Sequence, residues 1–169
     1  MVRQSKKLMG VQKPFLWMVW AEESSLESEE FLRRCVDRWH SFLSSDFEVH
    51  LVEAKHFDLW LNSSALPQNF GDLPSKVQED ILKVALLAHF GGVLVDVDSI
   101  PIQQDSMMQI WTSLQDSDAQ ALGTYSYHQE CQWSLGMWFL AAKKGSAFMK
   151  HWLKLLLEEI GGARVWNAF

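Results

Sequence analysis

Two aspartates, Asp96 and Asp98, follow a run of branched aliphatic residues and are the strongest candidates for chemistry in the chain. Side chains alternate between the faces of a strand, so a strand over Val93–Val97 would turn its valines to one side and Leu94, Asp96 and Asp98 to the other. Two ionised carboxylates beside a buried strand require a cation. Mg²⁺ or Mn²⁺ is suitable, because these hard ions bind one or two carboxylates and complete their shell with phosphate and water oxygens.

The D-x-D pattern by itself is a weakly specific signal. A second copy, Asp116-Ser117-Asp118, lies in what reads as a polar turn. Spacing alone therefore leaves open the alternative that Asp96 and Asp98 form a solvated turn at the end of a strand. The predicted elements around Asp96 and Asp98 are therefore needed to distinguish a metal site from a solvated turn.

The first hundred residues alternate between strand and helix patterns. Ser75 is the candidate N-cap of the second helix, and Gly91 and Gly92 end that helix. A β-α-β start predicts an α/β fold with a mainly parallel sheet flanked by helices. The predicted elements of this part are a strand over Phe15–Trp20, a helix over Ser25–Leu43, a strand over Phe47–Val52, a loop over Phe57–Pro74, a helix from Ser75 and a strand over Val93–Val97.

The remainder of the chain predicts two further strands and two further helices. These are a helix over Met107–Leu114, strands over Ala119–Tyr127 and Leu135–Ala142, and a closing helix over Ser146–Ile160. Residues 1–12 are expected to form an N-terminal tail and residues 13–169 a single domain. The apolar end, with Trp166 and Phe169, leaves open a C-terminal truncation.

Charge and composition exclude several classes of protein. The formal net charge of -6 argues against a nucleic-acid partner, which normally requires a basic face. The two cysteines have no metal-binding or disulfide-framework spacing. Without a signal-peptide core or a long apolar run, the sequence predicts a cytoplasmic protein with no membrane segment in this chain; a missing targeting segment would leave the Golgi lumen open.

The segment from Lys76 to Ile102 reads KVQEDILKVALLAHFGGVLVDVDSIPI. It resembles the sugar-binding DXD region shared by capsular polysaccharide synthesis proteins, Golgi initiation mannosyltransferases and the glucosylating clostridial toxins. Looser similarity extends to Lys13–Trp20 and Cys35–Trp39. The resemblance implies a Rossmann-like GT-A fold and a metal-dependent glycosyltransferase. It also implies Mn²⁺ or Mg²⁺ as cofactor, a nucleotide-diphosphate sugar as donor, and a glycan or other hydroxyl compound as acceptor.

The resemblance also suggests roles for individual residues. Asp96 and Asp98 would be the catalytic motif acids, with Asp98 as the direct metal ligand and Asp96 nearer the ribose and sugar hydroxyls. Asp80 would bind donor-sugar hydroxyls. Lys83 would stand where the family usually has arginine and would contact the sugar or phosphate of the donor. The remaining donor-binding candidates are Trp20, stacked on the nucleotide base, and Gly91 and Gly92, which would allow close approach of the backbone.

Two alternative functions remain open on the sequence. An apolar strand ending in D-x-D-S also resembles the nucleophile strand of haloacid dehalogenase-like phosphohydrolases, in which the first aspartate is phosphorylated. That family has its motif near the start of the chain and an acidic pair later, whereas no aspartate follows Asp118 here. A second alternative is a fragment that binds a nucleotide sugar without catalysis. Retention or inversion at the sugar is not decided by the sequence.

Overall fold

The computed structural model describes residues 13–22, 29–128 and 132–161. Within them the chain forms one five-stranded sheet and four α-helices. The predicted tail 1–12, the first residues of the predicted first helix and the C-terminal residues from 162 onward lie outside the described residues. The elements are β1 (Phe15–Trp20), α1 (Glu30–Leu43), β2 (Glu48–Glu53), α2 (Ser75–Phe90), β3 (Gly92–Val95), α3 (Gln104–Asp116), β4 (Ala121–His128), β5 (Gln132–Ala142) and α4 (Ala147–Gly161).

The sheet has the strand order β2-β1-β3-β5-β4. β1 pairs in parallel with β2 and with β3, whereas β5 is antiparallel to both β3 and β4. Four strands therefore run in one direction and only β5 runs against them, which confirms the predicted α/β fold with a mainly parallel sheet. The carboxyl ends of β1, β2 and β3 lie side by side at one edge.

Helices cover both faces of the sheet. Successive residues of β1 alternate between them, because Trp17 and Val19 pack toward α2 and α4, whereas Leu16 and Met18 pack toward α1 and α3. α2 is buried along half of its length, since every residue from Ile81 to Ala88 is at most 2% exposed. This double burial explains why β1 and β3 are continuously apolar rather than alternating.

The predicted elements are confirmed, with shifts at their ends. Ser75 is wrong as an N-cap, because it is the first residue of α2 and Pro74 holds the cap position without a side-chain hydrogen bond. The segment between β2 and α2, predicted as a loop over Phe57–Pro74, contains three short 3₁₀ helices, Ala54–Leu59, Ser63–Ala65 and Phe70–Asp72. No described helix has the length and apolar character needed to cross a membrane.

Candidate functional site

The acidic motif lies in a turn at the carboxyl end of β3. β3 ends at Val95, two residues before the predicted end, although the Asp96 N–H still donates to the Trp138 carbonyl of β5 at 3.0 Å. The Ser99 N–H then donates to the Asp96 carbonyl at 3.1 Å and closes a β-turn. Asp96 and Asp98 are therefore turn residues, and strand alternation cannot fix the direction of both side chains.

The two aspartates have different neighbours. Val97 packs with the valines of β3 toward α1 and α3. Asp96 contacts Lys83 of α2 on the opposite side, as alternation predicts. At Asp98 the turn interrupts this pattern. Its side chain is exposed and makes no hydrogen bond or ion pair with the described residues, and its charge acts on Cys35 of α1.

Helix α1 holds the turn in place from the other side. The Trp39 indole N–H donates to the Ser99 carbonyl at 2.9 Å, and the Cys35 thiol lies 3.9 Å from the Asp98 carbonyl oxygen. Burial raises the pKa of Cys35, and the nearby charge of Asp98 raises it further. Cys35 is therefore protonated and packs beneath the turn. The contacts of Cys35 and Trp39 hold the backbone of the turn that carries the Asp98 side chain.

Lys83 is fully buried and binds two carboxylates. Its Nζ lies 2.5 Å from Asp96 Oδ1 and 2.5 Å from Glu79 Oε1, and its exposure is 0%. A charge this deep in the protein requires such partners, because desolvation otherwise makes it costly. The predicted contact of Lys83 with the sugar or phosphate stays a prediction, and the ammonium that would make it is enclosed by protein carboxylates in this structure.

Asp80 has one carboxylate oxygen without a hydrogen-bond partner. Oδ1 is buried among the described residues, and its nearest cation is the Lys76 ammonium at 3.7 Å. Burial raises the pKa of Asp80, the charges of Lys76 and Lys83 oppose this shift, and those of Glu79 and Asp96 add to it. A buried acceptor without a donor can accept a hydrogen bond from a hydroxyl group, so this oxygen suits the predicted contact with donor-sugar hydroxyls.

Trp20 ends β1 and lines a polar cleft of about 620 Å³ at the same edge of the sheet. The cleft is bounded by the carboxyl ends of β1 and β2 and by the start of α2, including Glu53 and Gln78. The register pairs Trp17 with Leu94, so the end of β1 lies beside the turn that contains Asp96. The cleft has the size of a site for a small ligand.

Gly91 and Gly92 lie at the other end of β3. Both have positive φ angles, 69° and 106°, and a Cβ would lie 2.6 Å from the Lys144 nitrogen at Gly91 and 2.5 Å from the Phe15 carbonyl oxygen at Gly92. Gly92 precedes Asp96 by four positions, which is roughly 13 Å along an extended strand. Their close approach is to the protein backbone, so this position does not support the predicted contact with a donor.

A divalent ion at this edge would depend on few protein ligands. The described residues contain no group of three or more histidine, cysteine, aspartate or glutamate side chains that could hold a metal. Asp96 forms an ion pair with Lys83, and the carboxylate of Asp98 is exposed to solvent. Such a donor set fits Mg²⁺ or Mn²⁺ shared with a diphosphate and water, because these ions are commonly bound through one or two carboxylates.

Glu79 and Trp39 belong to the site but are not among the residues predicted from the sequence. Glu79 precedes Lys83 by four positions, the spacing at which helix side chains meet, so this pair was detectable. Trp39 binds Ser99 across 60 positions of sequence. That contact follows from the packing of α1 against β3 and has no local signal.

Comparisons with known proteins relate the chain to glycosyltransferases. No protein-family model matches it. It is 24% identical over 165 residues to Probable glycosyltransferase FCK3 of Fusarium pseudograminearum (strain CS3096), covering 90% of this chain and 39% of that protein. It is 24% identical over 161 residues to O-glycosyltransferase braB of Annulohypoxylon truncatum, covering 88% of this chain and 38% of that protein. The chain thus spans about two fifths of the length of these curated relatives.

A solved structure shares the fold. PaToxG Glycosyltransferase superposes with a TM-score of 0.58 at 13% identity, over 90% of this chain and 63% of that one. At this identity the likeness concerns the fold alone. The sequence matches favour the glycosyltransferase hypothesis over the phosphohydrolase hypothesis. The chain is accordingly a distant relative of proteins named glycosyltransferases and has the α/β fold of one.

Proposed function

We propose that the chain is the donor-binding part of a metal-dependent glycosyltransferase that moves a sugar from a nucleotide diphosphate to a hydroxyl acceptor. One observation carries this proposal: the exposed carboxylate of Asp98 lies in an anchored turn beside the end of β1, where Trp20 lines a polar cleft. Ligands of open α/β sheets bind at the carboxyl ends of the strands, and this edge offers both a cleft and a free acid.

Each residue at the edge would contact a different part of the donor. The Trp20 ring would pack on the nucleotide base, and the buried oxygen of Asp80 would accept a hydrogen bond from a sugar hydroxyl. Asp96, fixed by Lys83, would lie against the ribose or sugar hydroxyls. Asp98 would hold Mg²⁺ or Mn²⁺, and a bound ion would supply positive charge to the diphosphate as it departs.

The reaction breaks the bond between the anomeric carbon and the diphosphate oxygen, and the electron pair leaves with the diphosphate. The acceptor oxygen forms the new bond to that carbon and loses its proton, so the products are a glycoside, a nucleoside diphosphate and one proton. The residues of this chain would contribute chiefly by positioning the donor and by stabilising charge.

The test is calorimetric titration of UDP and GDP, each with Mn²⁺, into the protein and into Asp98→Asn. We expect one nucleotide to bind the wild-type protein and the variant to weaken its binding by at least about tenfold, because the charge that holds the ion is lost. Asp118→Asn is the matched control, since Asp118 is the exposed second acid of the other D-x-D. Equal affinities in Asp98→Asn and Asp118→Asn would contradict the proposal.

A donor-binding fragment without transferase activity is the second candidate, because the chain spans only about two fifths of its curated relatives. The same titration, combined with a donor hydrolysis assay, distinguishes an active transferase from a donor-binding fragment. Nucleotide binding with Mn²⁺ but no release of nucleoside diphosphate from any nucleotide sugar would support the fragment.

A further inference from the structure

A second cleft, of about 400 Å³, lies on the opposite face of the sheet from α2. It is enclosed by α1, by the segment that follows the acidic turn, by α3 and by β5. Among the residues that the structure describes, no charged side chain lines it. The lining residues on which the argument depends are Trp39, Ser99, Ile102, Ser106, Ile110 and Trp138.

The second cleft is continuous with the acidic turn. Ser99 closes the turn by donating to Asp96, and it also lines the cleft. Trp39 of α1 also connects the turn to the cleft. Its indole N–H donates to the Ser99 carbonyl, and its side chain forms part of the cleft wall. The cleft at Trp20 includes Ala54 and Phe70 from the core under α2, so the two clefts lie on opposite faces of the sheet.

The rim of this second cleft exposes large apolar side chains to solvent. Ile102 is 89% exposed, Ile100 54% and Trp138 50%. Grouped exposed hydrophobic residues beside a concave surface are typical of a binding site. The few polar groups in the wall, the hydroxyls of Ser99 and Ser106 and the amide of Gln103, are neutral.

We propose that the second cleft binds the apolar body of the acceptor, a small neutral compound with an aromatic or polycyclic skeleton and a hydroxyl group. This inference rests on the proposed function and names the class of its acceptor. The volume is that of a small-molecule site, in which an apolar wall and a few polar groups orient the ligand. A phosphorylated or otherwise charged acceptor would lose its hydration without gaining a partner of opposite charge. A glycan would find too few hydrogen-bonding groups.

Binding of 2-naphthol, a flat aromatic alcohol, tests the second cleft directly. Calorimetry or saturation-transfer NMR would compare the wild-type protein with Ile102→Glu and Trp138→Ala. We expect each variant to weaken 2-naphthol binding by about fivefold or more, because apolar contact area is lost. Leu59→Glu is the matched control, since Leu59 is 77% exposed and lies outside the cleft, and its affinity should stay within about twofold of the wild type.

Three outcomes would overturn the inference: no binding of 2-naphthol to the wild-type protein, equal binding by Ile102→Glu and Leu59→Glu, or tighter binding of methyl glucoside than of 2-naphthol. Asp98→Asn separates this inference from the proposed function. It should weaken nucleotide binding while it retains 2-naphthol binding.

A transfer assay with UDP-glucose and GDP-mannose as donors tests the acceptor role. Formation of a naphthyl glycoside supports it, whereas hydrolysis of either donor without naphthyl glycoside contradicts it. If no nucleotide binds in the calorimetric titration, the proposed function is contradicted. The 2-naphthol experiment then decides by itself whether the second cleft binds an apolar alcohol.

Discussion

The ammonium of Lys83 lies 2.5 Å from Oδ1 of Asp96, so a fully buried lysine of α2 holds the first acid of the turn after β3. The same ammonium lies 2.5 Å from Glu79 Oε1. This arrangement makes Asp96 part of the interior hydrogen-bond network as well as of the candidate site. Stability and ligand binding should therefore both respond to changes at Lys83.

Replacing Lys83 by methionine should lower the free energy of unfolding by about 2–3 kcal/mol, because two partly buried carboxylates lose their shared cation. Lys83→Arg retains the charge and should lose less. Lys76→Met is the matched control, since Lys76 binds the same Glu79 at 3.0 Å but is exposed, and it should lose less than about 1 kcal/mol. Urea unfolding measures all three. Equal losses for Lys83→Met and Lys76→Met would refute the buried bridge.

Asp80→Asn should stabilise the free protein and weaken nucleotide-sugar binding. Because burial raises the pKa of Asp80 above its usual value, ionisation is unfavourable in the folded state, and this cost is complete at pH values above the raised pKa. Removing the charge should therefore raise the free energy of unfolding at pH 7. Thermal unfolding at pH 7 with and without donor checks both effects. A less stable variant would contradict the prediction.

Gly92→Ala should destabilise the protein by about 3 kcal/mol or more, because φ is 106° and the new Cβ would lie 2.5 Å from the Phe15 carbonyl oxygen. Gly145→Ala provides the control. Gly145 has a φ of 80° and open space around a Cβ, so only the backbone strain of about 1 kcal/mol is expected. Chemical denaturation gives the free energy of unfolding of each variant. The difference between the two values is the cost of the steric contact at the start of β3.

His50 should make stability fall as the pH is lowered. Burial lowers its pKa, Glu48 partly opposes this shift, and the ring lies beside Trp17 and Trp60 at centroid distances of 5.3 and 4.5 Å. A lowered folded-state pKa means that the unfolded chain binds the proton first. This contribution to stability is therefore complete above about pH 6.5 and is lost as the pH falls through the folded-state pKa.

Substituting His50 by phenylalanine would reveal this dependence. Phenylalanine cannot be protonated, so the variant should show a smaller loss of stability between pH 7 and pH 5 than the wild type. His56→Phe is the control, because His56 is exposed. Urea unfolding midpoints, measured from pH 7 to pH 5, provide the measurement. An equal loss of stability in the wild type and His50→Phe would show that His50 does not cause the pH dependence.

The sequence alone determined the order and type of the elements and the location of the acidic motif. The apolar runs at Phe15–Trp20 and around Leu94 are short and continuous, as in strands buried on both faces, and hydrophobic periodicity is a local property. Glycines at 91 and 92 marked the helix end for the same reason, since their positive φ angles are a local requirement. The resemblance around Asp96 and Asp98 identified the candidate site before any packing was known.

The tertiary structure decided which charges face each other and which remain available. Lys83 has the same charge and spacing whether it faces solvent or the interior, and only the packing of α2 between β1 and α4 buries it against Asp96. Trp39 meets Ser99, and the second cleft forms, because α1, α3 and β5 converge from distant parts of the chain. Such contacts depend on three-dimensional packing, which no local pattern of residues records.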